Sequence, residues 1–301
     1  MKSIRVMCLF LFFCNFAIMK KGLVLEGGAL RGLFSAGVID VMMENHIRVD
    51  GLVGVSAGAA FGCNYKSEQP GRAIRYNKKF AHDWRYCSLR SLITTGDLFG
   101  GHFCYHVLPT RLDVFDTATF DRNPMEFYVV CTDVTTGRPE YKLLMEHGYE
   151  SYEWIRASAS MPLAAKVVEI GDKKLLDGGI SDSIPLLFLQ QQGYDRNVVV
   201  LTQPEGYIKK PNRLLPLMRW QLRRYPRFLA AVEQRHVMYN EQLTHVRAEE
   251  QKGNIVVIRP ARKLSIDHVS HDPNEMENVY QQGRQAALEK LPAILKLYQE
   301  G

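Results

Sequence analysis

A serine flanked by glycines is the first residue of this chain whose surroundings could support chemistry. Ser56 lies between Gly54 and Gly58 in the sequence GVSAG, after the apolar run GLVGV and before a run of small residues. The pattern G-x-S-x-G between a strand and a helix is typical of a nucleophile exposed on a sharp turn. A serine in this place can also act as the N-cap of the helix, so the pentapeptide alone leaves both interpretations open.

A second glycine-rich stretch, LEGGALRG at residues 25–32, follows the first apolar run and precedes a helical pattern. The backbone N–H groups near Gly27 and Gly28 can turn toward one point, which suits an oxyanion hole or a phosphate-binding loop. A dinucleotide-binding loop is disfavoured, because Ala29 stands at the third position of G-x-G-x-x-G and Asp50 lies near the start of the next strand.

The third candidate is Asp177, which a short predicted strand delivers into a turn formed by Gly178 and Gly179. Without side chains at the two glycines, the carboxylate can approach another group closely. A shielded aspartate can accept the proton of a serine hydroxyl, because burial raises its proton affinity. One alternative is an Asx turn in which Asp177 bonds only its own backbone. Asp182, five residues later, is the nearest competing aspartate, and it could equally cap the helix that begins near Pro185.

Short apolar runs alternate with longer helical patterns, and these predict the elements that position the candidate residues. Strands are predicted at residues 22–26, 49–55, 127–133, 197–202 and 254–259, with a hairpin from 166–170 and 173–176. The segment between the first two strands is apolar on nearly every face, as in a helix packed beneath its neighbours. The pattern indicates an α/β fold with a central, mostly parallel sheet flanked by helices, and residues 20–301 are interpreted as one domain.

Taken together and in this order, the three motifs resemble the patatin-like phospholipases. The resemblance rests on G-G-x-x-R-G at 27–32, G-x-S-x-G at 54–58 and D-G-G at 177–179, with looser similarity in RASASMP at 156–162 and in two further blocks, at 132–137 and 198–207. It covers nearly all of residues 20–301. It implies a three-layer α/β fold and hydrolysis of lipid acyl esters by a Ser-Asp dyad, with no metal or cofactor.

The resemblance also implies a role for each matching residue. Ser56 is the expected nucleophile and Asp177 the expected proton acceptor. The remaining motif residues are Gly54 and Gly58 in the turn around the serine, Gly178 and Gly179 after the aspartate, and Gly27, Gly28, Ala29, Arg31 and Gly32 in the oxyanion loop. Many members carry glycine where this chain has Ala29. Because only its backbone would be used, we expect the alanine to be tolerated.

Other functions and mechanisms remain as alternatives. His236, His245, His268 and His271 all follow Asp177 in the chain order of a Ser-Asp-His esterase, although only one strand is predicted before Ser56. His102 and His106 flank Cys104 at metal-like spacing without an evident fourth ligand. A catalytically weak lipid-binding or regulatory protein on the same scaffold is the alternative from a different class.

Basic residues are concentrated in one segment. The chain has 38 Lys and Arg against 32 Asp and Glu, and residues 209–236 alone hold two Lys and six Arg against the single acid Glu233. Trp220 and several leucines lie between these charges, and Pro216 and Pro226 are expected to divide the segment. The pattern is typical of a helix on an anionic lipid surface, and equally of a surface helix packed on the core. No motif indicates a nucleic-acid partner.

The N-terminal residues 1–19 form an apolar segment that follows Lys2 and Arg5. The segment is similar to a signal peptide or anchor, yet no clear cleavage site separates it from the first strand. Met19 offers a second plausible start. Six cysteines without metal-ligand spacing indicate thiols in a reducing compartment. We therefore expect a cytoplasmic protein with peripheral membrane contact, with export as the open alternative.

Overall fold

The computed structural model describes residues 19–299, so most of the predicted N-terminal segment lies outside the described residues. A single eight-stranded sheet forms the centre. Its strands are β1 Lys21–Leu25, β2 Gly51–Val55, β3 Glu126–Asp133, β4 Pro139–Leu143, β5 Val168–Ile170, β6 Lys173–Asp177, β7 Arg196–Val200 and β8 Ile255–Ile258. The order β3-β2-β1-β7-β8 is parallel throughout. β4 and β6 pair antiparallel with β3, and β5 pairs antiparallel with β6.

Helices connect the parallel strands, as such strands require. The α-helices are α1 Leu33–Glu44, α2 Ala57–Lys66, α3 Arg72–Lys79, α4 Leu89–Thr95, α5 Thr117–Arg122, α6 Tyr149–Ser158, α7 Leu186–Gln191, α8 Leu215–Gln221, α9 Pro226–Gln251 and α10 Pro273–Gln299. Short 3₁₀ turns occupy Ala29–Gly32 and Gly178–Ile180, and a π-helical segment occupies Phe103–Leu112.

Both faces of the sheet are covered, which gives three layers. Along β1, Leu23 and Leu25 belong to one apolar cluster, which α1, α2 and α10 complete. Val24, between them, belongs to a second cluster that includes residues of α7 and α9. Alternate side chains of a strand point to opposite faces, so a continuously apolar strand such as β1 is expected where both faces are buried.

The predicted elements agree with this fold except at one strand. The five predicted parallel strands and the hairpin are confirmed, and so is the buried helix after β1, in which residues 33–42 are all buried. β4 is missed because its sequence PEYKL contains no apolar run, and every residue of it is at least partly exposed. The prediction of a mostly parallel sheet flanked by helices is therefore confirmed.

Candidate active site

Ser56 occupies a strained turn between β2 and α2. Its backbone has φ 55° and ψ −120°, and although it stands at the N-cap position, its side chain makes no capping hydrogen bond. A positive φ is uncommon for a residue other than glycine and costs about 1–3 kcal/mol. The serine therefore does not act as a side-chain cap, and its hydroxyl is free for another role.

The two flanking glycines are required by close backbone contacts. A side-chain carbon added at Gly54 would lie 2.6 Å from the carbonyl oxygen of Gly58, and one added at Gly58 would lie 2.3 Å from the carbonyl oxygen of Leu25. Both distances are well below the 3.5–4.0 Å at which carbon atoms pack. Only glycine lets α2 approach β1 and β2 this closely.

A buried serine on α6 holds the turn in place. The backbone N–H of Ser56 donates to Oγ of Ser158 at 2.8 Å, and the Ser158 hydroxyl donates to the carbonyl of Val130 on β3 at 2.6 Å. Ser158 is fully buried. In the sequence, Ser158 belongs to the block RASASMP, for which the family resemblance implies no specific role.

Asp177 lies at the end of β6, where it is 5% exposed. Its carboxylate accepts the N–H of Gly179 at 2.8 Å. Burial raises the pKa of Asp177, and the positive charge of Arg235, a hydrogen-bonding contact with the Ser56 side chain and the Gly179 amide oppose that rise. The structure thus brings Asp177 and Ser56 together, and the carboxylate has contacts beyond those of an isolated Asx turn.

The glycines that follow Asp177 also have a steric reason. A side-chain carbon at Gly178 would lie 2.1 Å from the carbonyl oxygen of Val130, and one at Gly179 would lie 3.0 Å from Nη2 of Arg235. The first contact lets the turn lie against β3. The second lets a guanidinium approach the aspartate.

Asp182, the competing aspartate, is used elsewhere. Its carboxylate accepts the Tyr141 hydroxyl at 2.7 Å and the Gln242 amide at 2.5 Å. The helix α7 begins after Pro185 without a side-chain cap, so Asp182 does not take the alternative role of capping this helix. Because these two hydrogen bonds reach Tyr141 on β4 and Gln242 on α9, Asp182 connects neighbouring elements.

The glycine loop after β1 lies directly against Ser56. A side-chain carbon at Gly27 would lie 2.9 Å from Cβ of the serine. Among residues 19–299, the amides of Gly27 and Gly28 have no hydrogen-bond acceptor. Ala29 adopts φ 48°, the left-handed conformation for which glycine is better suited. The loop therefore presents free N–H groups beside the serine.

Glu26 anchors this loop from below. One of its carboxylate oxygens accepts the N–H of Thr202 and the other accepts the hydroxyl of Tyr239, both at 2.6 Å. The Thr202 hydroxyl in turn donates to the carbonyl of Gly27 at 2.8 Å. Because the Gly27 carbonyl is held in this way, the backbone N–H groups of the glycine loop are fixed in direction. The sequence motifs contain no signal for this anchor.

None of the four histidines proposed for a triad hydrogen-bonds Ser56 or Asp177 within the described part of the chain. His268 contacts Nη1 of Arg31 at 2.9 Å. The other three bond elsewhere: His236 to the Glu233 carbonyl, His245 to Gln190 and His271 to the Ala81 carbonyl. The arrangement therefore favours the aspartate over a histidine as the partner of Ser56.

An apolar cavity of about 120 Å³ opens beside the serine. Its lining includes Ser56 and Ala29 at one side and aromatic and aliphatic side chains elsewhere, among them Leu30, Phe61, Tyr76, Leu108, Phe115 and Phe120. Arg72, which also lines the cavity, is paired with Asp113 at 3.2 Å. Such a lining suits a hydrocarbon chain.

The basic segment at residues 209–236 is divided by its prolines as expected. Pro216 lies in the first turn of α8, and Pro226 begins α9. Met218, Leu222 and Phe228 pack in a buried cluster, whereas Leu214, Leu217 and Trp220 are 54%, 49% and 71% exposed. The segment thus packs on the core with one set of apolar residues and presents another set to solvent.

Metal binding and membrane spanning are two further properties that the described residues bear on. Residues 19–299 contain no group of three or more His, Cys, Asp and Glu placed to hold a metal ion. His106 instead hydrogen-bonds Glu153 at 2.6 Å, and the Cys104 thiol donates to the Tyr86 carbonyl at 3.4 Å. Over the same residues, no helix has the length and apolar character needed to cross a bilayer.

A serine on a strained strand-to-helix turn, beside a buried carboxylate and free backbone amides, is typical of serine hydrolases. The chain belongs to the patatin-like phospholipase family, whose model matches residues 23–189. A second model, described as a domain of unknown function (DUF6363), matches residues 225–299 and includes α9, β8 and α10. β8 pairs with β7 in the central sheet, so both matched regions contribute to one sheet.

Similar curated proteins include the lysophospholipase nte1 of Aspergillus oryzae, which is 30% identical over 181 residues. That match covers 58% of this chain but only 11% of the fungal protein. The uncharacterized protein YjjU of Escherichia coli is 30% identical over 207 residues, which cover 66% of this chain and 56% of YjjU. Among solved structures, VipD from Legionella pneumophila is similar with a TM-score of 0.46 and 12% identity over 93% of this chain and 67% of that chain.

Proposed function

We propose that this protein is a serine hydrolase of lipid acyl esters, similar to a phospholipase A or lysophospholipase. Ser56 is the nucleophile and Asp177 is the proton acceptor. The observation that carries the proposal is the strained backbone of Ser56, whose side chain does not cap α2 and lies close enough to the buried Asp177 to lower the pKa of its carboxyl. The family and the lysophospholipase name of the fungal relative support a lipid substrate.

The geometry suggests how the two residues divide the reaction. A serine hydroxyl is a weak nucleophile until a base accepts its proton. Burial raises the pKa of Asp177, so its carboxylate accepts the proton as Ser56 attacks the ester carbonyl. The alcohol leaves with a proton returned by Asp177, and a water deprotonated by the same carboxylate then hydrolyses the acyl-enzyme.

The backbone amides of Gly27, Gly28 and Ala29 are the donors for the oxyanion that forms at each attack. Because Glu26 and Thr202 fix the loop, these donors need little rearrangement during the reaction. Loss of one such donor typically lowers kcat about 10²–10³-fold. The apolar cavity next to Ser56 receives the acyl chain.

Labelling with a fluorophosphonate probe tests the nucleophile. We expect wild type to be labelled and Ser56→Ala to be unlabelled at equal folded concentration. Failure of folded wild type to react would contradict the hydrolase and favour the catalytically weak lipid-binding alternative.

Hydrolysis of a short-chain nitrophenyl ester tests the base. Asp177→Asn is expected to abolish turnover, whereas Asp182→Asn is the matched control because this aspartate is also buried but bonds other residues. Full activity in Asp177→Asn, or loss of activity in His268→Ala, would support a histidine mechanism instead.

We also infer that α8 and its flanks lie on an anionic lipid surface. Leu214, Leu217 and Trp220 are the exposed apolar contacts, and the exposed arginines Arg213, Arg223, Arg224 and Arg227 supply positive charge. Apolar burial and electrostatic attraction together give peripheral binding.

The four cysteines that the structure describes are free thiols, which supports a cytoplasmic location.

Co-sedimentation with vesicles tests this surface. Replacement of Arg223, Arg224 and Arg227 by Gln is expected to reduce binding to vesicles rich in phosphatidylglycerol, and Trp220→Ser should reduce binding further. Arg48→Gln is the control, because the Arg48 side chain is 81% exposed. Arg48 lies before the start of β2, whereas Ser56 follows the end of that strand. Equal binding of all variants would contradict the inference.

A further inference from the structure

Three cationic side chains from separate parts of the chain lie close together, and the charges of two of them, Lys209 and Arg235, act on Asp177. Arg31 comes from the glycine loop, Lys209 from the segment after β7 and Arg235 from α9. The Arg31 guanidinium lies 3.4 Å from the position that a side-chain carbon at Gly28 would occupy. A side-chain carbon added at Gly179 would lie 3.0 Å from Nη2 of Arg235 and 3.1 Å from Oδ1 of Asp177. The cations therefore lie next to the oxyanion loop and the proposed base.

The positive charges in this cluster lack matching partners. In the described residues, neither the Lys209 ammonium nor the Arg235 guanidinium makes a hydrogen bond or ion pair, and Lys209 instead lies 4.6 Å from the centre of the Tyr239 ring. The Nε atoms of Arg31 and Arg235 are buried without an acceptor. Buried polar atoms are nearly always paired, so these donors point to an absent acceptor.

The nearby carboxylates do not supply that acceptor. Both carboxylate oxygens of Glu26 are engaged by Thr202 and Tyr239. Asp177 bonds the Gly179 amide and forms no ion pair shorter than 4 Å with any described cation. The Arg31 guanidinium has one partner, the ring of His268. A further anion would therefore meet three cations, the proposed base Asp177 and, beside His268, the carboxylate of Asp267.

A groove of about 330 Å³ reaches two of these cations, Lys209 and Arg235. Among the residues that the structure describes, its lining also includes Lys210, Asn212 and His236 but no Asp or Glu. The apolar cavity that begins at Ser56 shares no lining residue with this groove. With its acyl chain in the cavity beside Ser56, an ester would direct its alcohol portion past Asp177 toward Arg235, which flanks the same glycine as the Asp177 carboxylate.

We propose that Arg31, Lys209 and Arg235 form a phosphate-binding subsite that selects esters whose alcohol carries a phosphate, as in glycerophospholipids and lysophospholipids. The proposal rests on the proposed hydrolase function. Guanidinium groups bind phosphate oxygens through paired charge-assisted hydrogen bonds. Lys209 and Arg235 both lie outside residues 23–189, which the patatin-like model matches, so this part of the chain adds selectivity to the shared catalytic scaffold.

The test compares two monoacylglycerols that are identical except for a phosphate on the terminal hydroxyl. Wild type is expected to have a higher kcat/KM for the phosphorylated ester. Arg235→Gln and Lys209→Gln should each reduce the ratio of the two kcat/KM values about 10- to 100-fold, the effect of losing a hydrogen bond between charged groups. Arg247→Gln, on the same helix and paired with Glu205 at 3.3 Å, is the control and should keep the wild-type ratio.

The outcomes separate the subsite from the enzyme. Hydrolysis of both esters with equal kcat/KM would overturn the subsite while leaving the hydrolase intact, whereas hydrolysis of neither ester would contradict the proposed function itself. Inorganic phosphate is the second probe. Competitive inhibition by phosphate together with no preference for the phosphorylated ester would show a site for a free anion and would overturn the headgroup assignment.

Discussion

Replacement of Ser158 by alanine should destabilise the protein and slow its proposed reaction. The Ser158 hydroxyl accepts the Ser56 N–H at 2.8 Å and donates to the Val130 carbonyl at 2.6 Å, and the side chain is fully buried. The substitution removes both hydrogen bonds and leaves the Ser56 N–H buried without an acceptor. Each unpaired buried group costs about 1–3 kcal/mol. We therefore expect a loss of about 2–4 kcal/mol in the free energy of unfolding, together with a lower kcat because the strained turn loses its support.

Ser35→Ala is the matched control for this prediction. Ser35 is also fully buried on a helix, but its hydroxyl has no hydrogen-bond partner in the described residues. Removal of an unpaired buried hydroxyl is expected to change stability by less than about 1 kcal/mol, toward greater stability. Urea unfolding followed by circular dichroism measures both variants, and nitrophenyl ester hydrolysis measures kcat. Equal unfolding free energies for the two variants would refute the reasoning.

Three further substitutions or conditions test other parts of the site. Gly58→Ala should prevent folding or cost more than about 3 kcal/mol by urea unfolding, because its side chain would lie 2.3 Å from the Leu25 carbonyl oxygen; wild-type stability would contradict the close approach. Ala60→Phe, in the apolar cavity, should reduce kcat/KM for long acyl chains more than for butyryl esters. Burial and the charges of Arg235 and Arg31 lower the pKa of Lys209 to about 8, although the charges of Glu26 and Asp177 oppose this. Lys209 therefore loses its positive charge between about pH 7 and about pH 9, and the preference for phosphorylated substrate should fall over this range. A preference that stays constant over this range would contradict that role for Lys209.

The sequence was sufficient for the parallel sheet and for the three motifs because these depend on local patterns. β1 and β2 are adjacent and parallel, so the glycine loop and Ser56, which follow them directly, must meet at the same edge of the sheet. Asp177 could be placed there only through the family resemblance, since its strand is antiparallel to β3 and the order of strands cannot be read from periodicity.

The supporting residues could not be predicted, because each comes from a segment distant in sequence. Ser158 reaches the turn from α6, and Glu26 depends on Tyr239 of α9 for one of its hydrogen bonds. The sequence groups Lys209 and Arg235 with the surface charges of residues 209–236, whereas the structure places both near Asp177. Hydropathy patterns distinguish a buried face from an exposed one, but they do not identify which charged residues of a mixed segment turn inward.

The position of the cations has a consequence for the base itself. Burial raises the pKa of Asp177, and the charges of Arg235 and Lys209 oppose that rise. A phosphate bound to these cations would offset their charge, so the pKa of Asp177 should be higher in the substrate complex than in the free enzyme. The carboxylate would then be a stronger base when the phosphorylated substrate is present.

This coupling predicts a difference between two pH profiles. The acid limb of kcat/KM reports the free enzyme and that of kcat reports the substrate complex. For the phosphorylated monoacylglycerol, we expect the kcat limb to lie at higher pH than the kcat/KM limb, because the bound phosphate offsets the positive charges that lower the pKa of Asp177. For the unphosphorylated ester the two limbs should coincide. The same separation for both esters would show that substrate binding changes the burial of Asp177 and that the phosphate does not act through Arg235 and Lys209.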